Sequence, residues 1–376
     1  MVLREWGRIG CIGFGGPPTH IALLRELCVD RKRWLTPHDF EDAVAVCNLL
    51  PGPASTQLAI YCAWRIRGRA GALAGGGAFI VPGLIIILAL AAAFLAGSPP
   101  RWVKGAGAGA GSAVAAVAIH AGASLLPASW RRARRASRAR WAAYLAAGAV
   151  AAATIGPWLV LVLLGCGTVE VAAAVVHRDR ARSYAAVPTA PLGAVVMGGG
   201  LLSLAWVAFK VGALSYGGGF VIVPLMQSDA VNHYHWLTSG QFLNAVALGQ
   251  VTPGPVVLTV AVVGYGAAGI GGGLLAAAVA FSPSFAFILF GAPHFGRLRH
   301  DRRARAFLDG AGPAAIGAIL GSAIPLARAL PETWQYAVLA GAAALLLALR
   351  RGVVVTLLTA AGAGTVISLA GAPLPS

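Results

Sequence analysis

The sequence predicts an all-α polytopic membrane protein made of two homologous repeats, inverted with respect to each other, each with two glycine- and proline-broken, re-entrant helices. Three observations predict it. Of 376 residues 58% are hydrophobic and 11% charged; apolar runs of membrane-spanning length recur along the chain; and a set of uncommon sequence marks returns at one fixed offset.

About 20 apolar residues span the hydrocarbon layer, and runs of this kind lie at 71–96, 103–127, 141–156, 158–176, 270–292, 306–327, 335–349 and 353–371. Four further apolar segments, 6–24, 39–64, 196–227 and 241–265, are interrupted by glycine and proline. Together they make about ten to twelve membrane elements. Met1 to Gly16 carries Arg4, Glu5 and Arg8 with no apolar stretch before its glycines, so no cleaved leader is expected. Cys11, Cys28, Cys47, Cys62 and Cys166 form no Cys-x-x-Cys pair and read as small buried side chains.

A net charge of +17 would suggest nucleic acid in a soluble protein, but here the arginines cluster between apolar segments. RRARRASRAR at 131–140 holds six of them. Such loops stay in the cytoplasm under the positive-inside rule, which replaces any nucleic-acid reading.

The repeat is visible without gaps. An offset of 202 carries Pro51-Gly52-Pro53 onto Pro253-Gly254-Pro255 and Trp34-Leu35-Thr36 onto Trp236-Leu237-Thr238. It also carries Gly15-Gly16 onto Gly217-Gly218 and Phe40 onto Phe242. Repeats of 1–176 and 195–376 follow, joined by a polar linker at 177–194. Duplicated units with discontinuous helices at matching positions are the sequence sign of a secondary transporter. If loops 131–140 and 294–305, the latter with Arg297, Arg299, Arg302, Arg303 and Arg305, both face the cytoplasm, one of the five elements between them fails to cross. Broken elements would repair the count.

In IGCIGFGGPPTHIALLRE, Gly13, Gly15 and Gly16 precede Pro17 and Pro18, so the helix breaks and restarts over Thr19 to Leu27. Restarted helices begin with amides that lack intrahelical partners and with the positive end of the dipole, a ready anion site. Pro51-Gly52-Pro53 does the same, with Ser55 and Thr56 in the new first turn. Ser215 to Gly219 and Thr252 to Pro255 repeat both features. Up to four such starts are expected to meet near the midplane in one site. Glycines 75–77 and 271–273 are read as packing.

Charge inside apolar segments is costly unless used. Lys210, at the offset of Arg8, either snorkels to an interface or faces an anion path. Arg25 and Glu26 pair with neighbours or serve the same path; Asp39, Glu41 and Asp42 cap a helix after Thr36. Glu170 is the clearest intramembrane carboxylate and leaves proton coupling open. His233-x-His235 is too weak for a metal site, so no metal and no cofactor are expected. No nucleophile, metalloprotease or phosphate-loop pattern occurs.

Phe14-Gly15-Gly16-Pro17, Arg25, Arg33-Trp34-Leu35 and Asn48-Leu49-Leu50-Pro51-Gly52-Pro53, with Tyr216-Gly217-Gly218-Gly219 and Gly249-Gln250-Val251-Thr252-Pro253-Gly254-Pro255, closely resemble the chromate ion transporter family. The resemblance covers nearly the whole chain and is to the long, two-domain bacterial form. Tyr216 stands where phenylalanine is usual. The resemblance implies chromate export across the inner (plasma) membrane, driven by the membrane potential or by ion coupling. Sulfate or another oxyanion is the alternative substrate, and a membrane-embedded enzyme is the remaining one. The candidate substrate-binding residues are Gly15, Gly16, Thr19, Arg25, Asn48, Gly52, Ser55, Thr56, Lys210, Ser215, Gly217, Gly218, Gln250, Thr252 and Gly254. Chromate, sulfate and the lipid bilayer are the expected partners, no nucleic acid among them, and a homodimer is left open.

Overall fold

The computed structural model describes residues 1–48, 50–95, 99–133, 137–154, 159–176, 200–215, 222–295 and 301–375. The linker 177–194, Gly217, Gly218, Arg297 and Arg299 lie outside the described residues. All of the described regular elements are helices.

Helix α1 (Val2–Ile12) stops at Gly13, and the chain turns through Gly15 and Gly16 with φ of 99° and 76°. Helix α2 (Pro17–Arg25) starts two residues earlier than expected, because proline is favoured in a first turn where its missing N–H costs nothing. It continues into a π-helical turn, Glu26–Arg31. The chain reverses at Arg33, whose φ is 52°. Helix α3 (Pro37–Cys47) follows; its side-chain cap is the Thr36 hydroxyl, which accepts the Asp39 amide, whereas of the three carboxylates expected to cap it only Asp39 lies in the first turn. Helix α4 (Ala54–Leu95) begins after the Pro-Gly-Pro loop and is broken at Arg67 and Gly68. Helices α5 (Arg101–Ser112), α6 (Val114–Arg132), α7 (Arg138–Thr154) and α8 (Leu159–Val176) complete the first repeat.

The second repeat copies this path. It runs α9 (Leu201–Leu214), α10 (Ile222–Gln227), a π-helical turn Ser228–His233, and α11 (Ser239–Val251). A 3-10 turn, Val256–Leu258, leads into α12 (Thr259–Gly291), which breaks at Ala268 and Gly269. Helices α13 (Arg302–Arg328), α14 (Thr333–Ala343) and α15 (Val353–Leu369) follow. Backbone detail repeats as well as sequence. His235, at the position of Arg33, has φ 53°, and the Trp34 amide donates to Cys28 at 2.8 Å as Trp236 does to Ala230 at 2.8 Å.

The equivalent helices α4 and α12 pack together and run antiparallel, since Gly76 lies against Phe285 while Leu88 lies against Gly273. Two copies of one helix that run in opposite directions are the geometry of inverted repeats. Within each repeat the first helix crosses the long one at a glycine: Gly10 against the Phe79 carbonyl, Gly212 against the Ala280 carbonyl. At ~1.5 Å per residue, α1 and α9 fall well short of a ~30 Å hydrocarbon layer, as broken elements must. Among the described residues, four stretches are long and apolar enough to cross: Ala54–Leu95, Arg101–Arg132, Val256–His294 and Arg302–Arg328.

The last two helices of each repeat pack on the other repeat. Helix α13 crosses α7 where Gly148 meets Ala314 and Gly317 meets Leu145, and crosses α8 where Gly310 meets Cys166. Reciprocally, α15 lies on α5 through Gly109 and Ala360, and the Arg101 guanidinium donates to the carbonyls of Ser368 and Ala372, each at 2.8 Å. Lipid supplies no hydrophobic force between helices, so close backbone approach at small residues holds them. Gly75, Gly76, Gly272 and Gly273 are packing positions, as expected, whereas Gly77 and Gly271 face open space. Four cysteines are buried; Cys11 is exposed, contrary to the expectation, because it lies on the outer side of α1.

Replacing Gly317 by leucine should therefore separate α7 from α13, at a cost of about 1–3 kcal/mol or more. Gly341, with open space around its Cα, should accept leucine without loss. Thermal unfolding of the two variants in detergent would test this; equal midpoints would refute the exchanged packing.

Candidate functional site

The broken ends meet in pairs, each repeat's Pro-Gly-Pro loop against the other repeat's first helix. The Pro51-Gly52-Pro53 loop faces the end of α9 and the middle of α12. Gly52 has φ 114°, a region open mainly to glycine, and a Cβ on it would lie 2.7 Å from Gln57 Nε2, 3.2 Å from the Gly212 carbonyl oxygen and 3.4 Å from Ser284 Oγ. Only a residue without a side chain lets these three elements close on one another.

Buried polar side chains without partners flank both loops, four of them on the elements that meet at Gly52 and Gln250 in the helix leading into the Gly254 loop. Among the described residues, buried Thr56 Oγ1, Gln57 Oε1, Ser215 Oγ, Gln250 Nε2 and Ser284 Oγ have no hydrogen-bond partner. Thr56 shares the first turn of α4 with Gln57, and Ser215 follows Gly212 by three residues at the end of α9. Leaving a buried polar group unsatisfied costs about 1–3 kcal/mol. Several together mark a place that gains on binding a polar ligand. The Thr56 and Gln57 amides already donate to the Pro53 carbonyl, each at 3.0 Å. Those two amides are engaged, and the side chains of Thr56 and Gln57 add unengaged groups to the same first turn.

The Pro253-Gly254-Pro255 loop has the mirrored surroundings with different chemistry. The Gly254 amide donates to the Gly13 carbonyl at 3.1 Å, and Gly83 and Val256 close the loop against α4 and Gly16. Where the first loop has Thr56 and Ser284, the second has Leu258 and Gly83; where α9 ends in Ser215, α1 ends in Gly13. One centre is polar and the other mostly apolar.

His20 joins the two. Its Nε2 lies 2.9 Å from the Gly13 carbonyl oxygen, and its Nδ1 lies 3.3 Å from Ser55 Oγ. The carbonyl can only accept, so Nε2 carries the proton and, in the neutral ring, Nδ1 accepts from the Ser55 hydroxyl. The Gly13 carbonyl is therefore shared by His20 and Gly254.

The predicted residues divide accordingly. Gly52, Thr56 and Ser215 belong to the polar centre; Gly16, Gly254 and, through His20, Ser55 belong to the junction with the apolar one. Gly15 and Thr19 pack on each other at its outer edge, a Cβ on Gly15 lying 3.0 Å from Thr19 Oγ1. Thr252 is buried but its hydroxyl donates to Leu248 at 2.9 Å within its own helix. Asn48 is exposed at the end of α3, away from the buried cluster.

The cations are already paired. Lys210 Nζ sits 2.6 Å from Asp229 Oδ2 in the π-helical turn after α10, and Arg25 lies 3.7 Å from Glu41 on the surface. Glu170 accepts both Arg140 Nε and Nη2 at 2.9 Å, and Tyr144 Oη at 2.9 Å, as a bridge between α7 and α8. Among the described residues no cluster of His, Cys, Asp and Glu could hold a metal. Gln57, Ser284 and His20 were missed in the sequence. The signal was available: at the offset of 202 Gln57 and His20 correspond to Thr259 and Ile222, and past the breaks at Gly68 and Gly269, where the offset is 201, Ser284 corresponds to Gly83, so each is more polar than its counterpart.

Comparison with known proteins decides the family. The family described as Chromate transporter matches residues 1–171 and 202–366. The chain belongs to the chromate transporter family. A chromate transport protein of Cupriavidus metallidurans is 33% identical over 330 residues, covering 85% of this chain and 80% of the relative. A probable chromate transport protein of Synechococcus elongatus is 28% identical, covering 85% and 82%, and an uncharacterized transporter of Methanocaldococcus jannaschii is 27% identical, covering 80% and 77%. No solved structure matches the chain. In this member of the chromate transporter family, four helices of crossing length and the shorter apolar ones make a multi-pass membrane protein.

Two outcomes follow. Gly52→Ala should reduce transport at least tenfold more than Gly254→Ala, since both positions have positive φ but only the first Cβ enters the polar cluster; flux per membrane-inserted molecule measures this. Lys210→Met should lower protein abundance by leaving Asp229 unpaired, and Lys210→Met with Asp229→Leu should restore abundance and flux together. Restored abundance without flux would give Lys210 a transport role beyond the ion pair.

Proposed function

We propose that the protein exports chromate from the cytoplasm across the inner (plasma) membrane as a secondary transporter, with no catalytic turnover of its own. The observation that carries this is the cluster of unpartnered side chains around Gly52, inside a member of the chromate transporter family. Thr56, Ser215 and Ser284 are hydroxyl donors suited to a tetrahedral oxyanion, and the α4 helix dipole adds its positive end. Gly15, Gly16, Thr19 and Gly254 serve the site as hinges at its edge. The repeats are taken as 1–176 and 195–376 with the linker at 177–194, and Gly217 and Gly218 as the counterparts of Gly15 and Gly16.

Orientation has support from inversion. If α5 and α6 cross the membrane once, inversion puts the start of α13 on the side where α6 ends. The arginines around 131–140 and 301–305 then share the cytoplasmic face, in keeping with the positive-inside rule. Moving a divalent anion outward down an inside-negative potential gains about 4.6 kcal/mol per 100 mV. At ~1.4 kcal/mol per decade this supports roughly a thousandfold concentration ratio without ATP for the divalent ion, and about fortyfold for its singly charged, monoprotonated form. Sulfate is the second reading, because it has the same shape and would meet the same hydroxyls.

Everted membrane vesicles carrying the protein should take up radiolabelled chromate at a rate that rises with a lumen-positive potential. Uptake no greater than in vesicles lacking the protein, with abundant folded protein present, would refute chromate as substrate.

A further inference from the structure

Gln57 separates two kinds of oxyanion. Its amide orientation is fixed by chemistry: the atom 2.7 Å from the Pro51 carbonyl oxygen must be the nitrogen, because that oxygen only accepts. Oε1 is thereby committed to the other side, fully buried and with no donor among the described residues. A site for a fully ionised oxyanion consists of donors alone, since an acceptor facing an unprotonated oxygen repels it. An acceptor among hydroxyls instead asks for a ligand that brings one proton of its own.

We infer that the polar centre at Gly52 binds a tetrahedral oxyanion in its monoprotonated form, with Gln57 Oε1 accepting the ligand's O–H while the hydroxyls of Ser284, Thr56 and Ser215 donate to its other oxygens. The inference rests on the oxyanion-transport reading above and specifies the ligand of the same site. The chromate dianion takes up one proton close to neutral pH, whereas the sulfate dianion does so only in acid. Discrimination between two ions of the same shape then comes from one buried acceptor, which leaves a missing hydrogen bond for the wrong ion. Ser284 reaches this centre from the second repeat, and Ser215 ends the helix whose Gly212 closes on Gly52, so the ligand would be held between the repeats.

The test uses the full-length protein in proteoliposomes and radiolabelled chromate uptake at one fixed pH near neutrality, with sulfate and inorganic phosphate as competitors. These two ions have similar size, and only phosphate carries a proton at that pH. Phosphate should inhibit at least tenfold more strongly than sulfate. Gln57→Met should bring the two inhibition constants together while chromate uptake persists at a reduced rate. Fixing the pH keeps the state of His20, the titratable group linked to this centre through Ser55, the same in every arm. Across a pH series, wild-type uptake should also fall by about tenfold per unit above the second ionisation of chromate. Sulfate inhibiting as well as phosphate in the wild-type protein would overturn the inference and leave chromate transport standing. No potential-driven chromate uptake at any pH would overturn the transport reading, and this inference with it.

Discussion

Backbone that breaks inside a membrane must satisfy its polar groups without water, and the rest of this fold depends on how that is done. Each broken end is closed by the opposite repeat. The Gly254 amide finds the Gly13 carbonyl, which also receives His20, while Gly52 closes on Gly212 and Ser284. Neither repeat could complete these contacts alone. The same dependence extends outward, where α13 lies on α7 and α8 and α15 lies on α5. Exchange of the outer helices and pairing of the inner breaks lock two inverted copies into one body.

Duplication produces two equivalent loops, and they differ in polarity. The loop at Gly254 has become an apolar closure with its amide satisfied, and the loop at Gly52 has kept unpartnered hydroxyls and an amide oxygen. Such a division is physically economical. Every unsatisfied buried group costs stability, so concentrating them where a ligand repays the loss limits the burden. The charged residues obey the same rule: Lys210 with Asp229, and Arg140 with Glu170, are neutralised pairs that fasten helices.

Much of this was legible in the chain. The all-helical class followed from apolar run lengths, and the two repeats from Pro-Gly-Pro and Trp-Leu-Thr at one offset. A helix start after Thr36, and the breaks after Gly13 and at Gly52, followed from local chemistry that needs no tertiary partner. The site was legible only in part. Thr56, Ser215 and Gly52 drew notice as candidates through their places at the breaks; Gln57, Ser284 and His20 did not, because a polar residue within an apolar run has no local signature of what it touches.

What the sequence determined by itself, then, is whatever depends on neighbours a few residues away: helix lengths, caps, breaks and the repeat. Only the tertiary structure decided which broken end closes which, that Lys210 is spent on Asp229, and that the Gly52 loop meets Gln57 and Ser284 where the Gly254 loop meets Leu258 and Gly83. The physical reason is distance along the chain. Gly52 meets Gly212 and Ser284 more than a hundred residues away, and no local pattern encodes a contact that exists only when two inverted copies fold against each other.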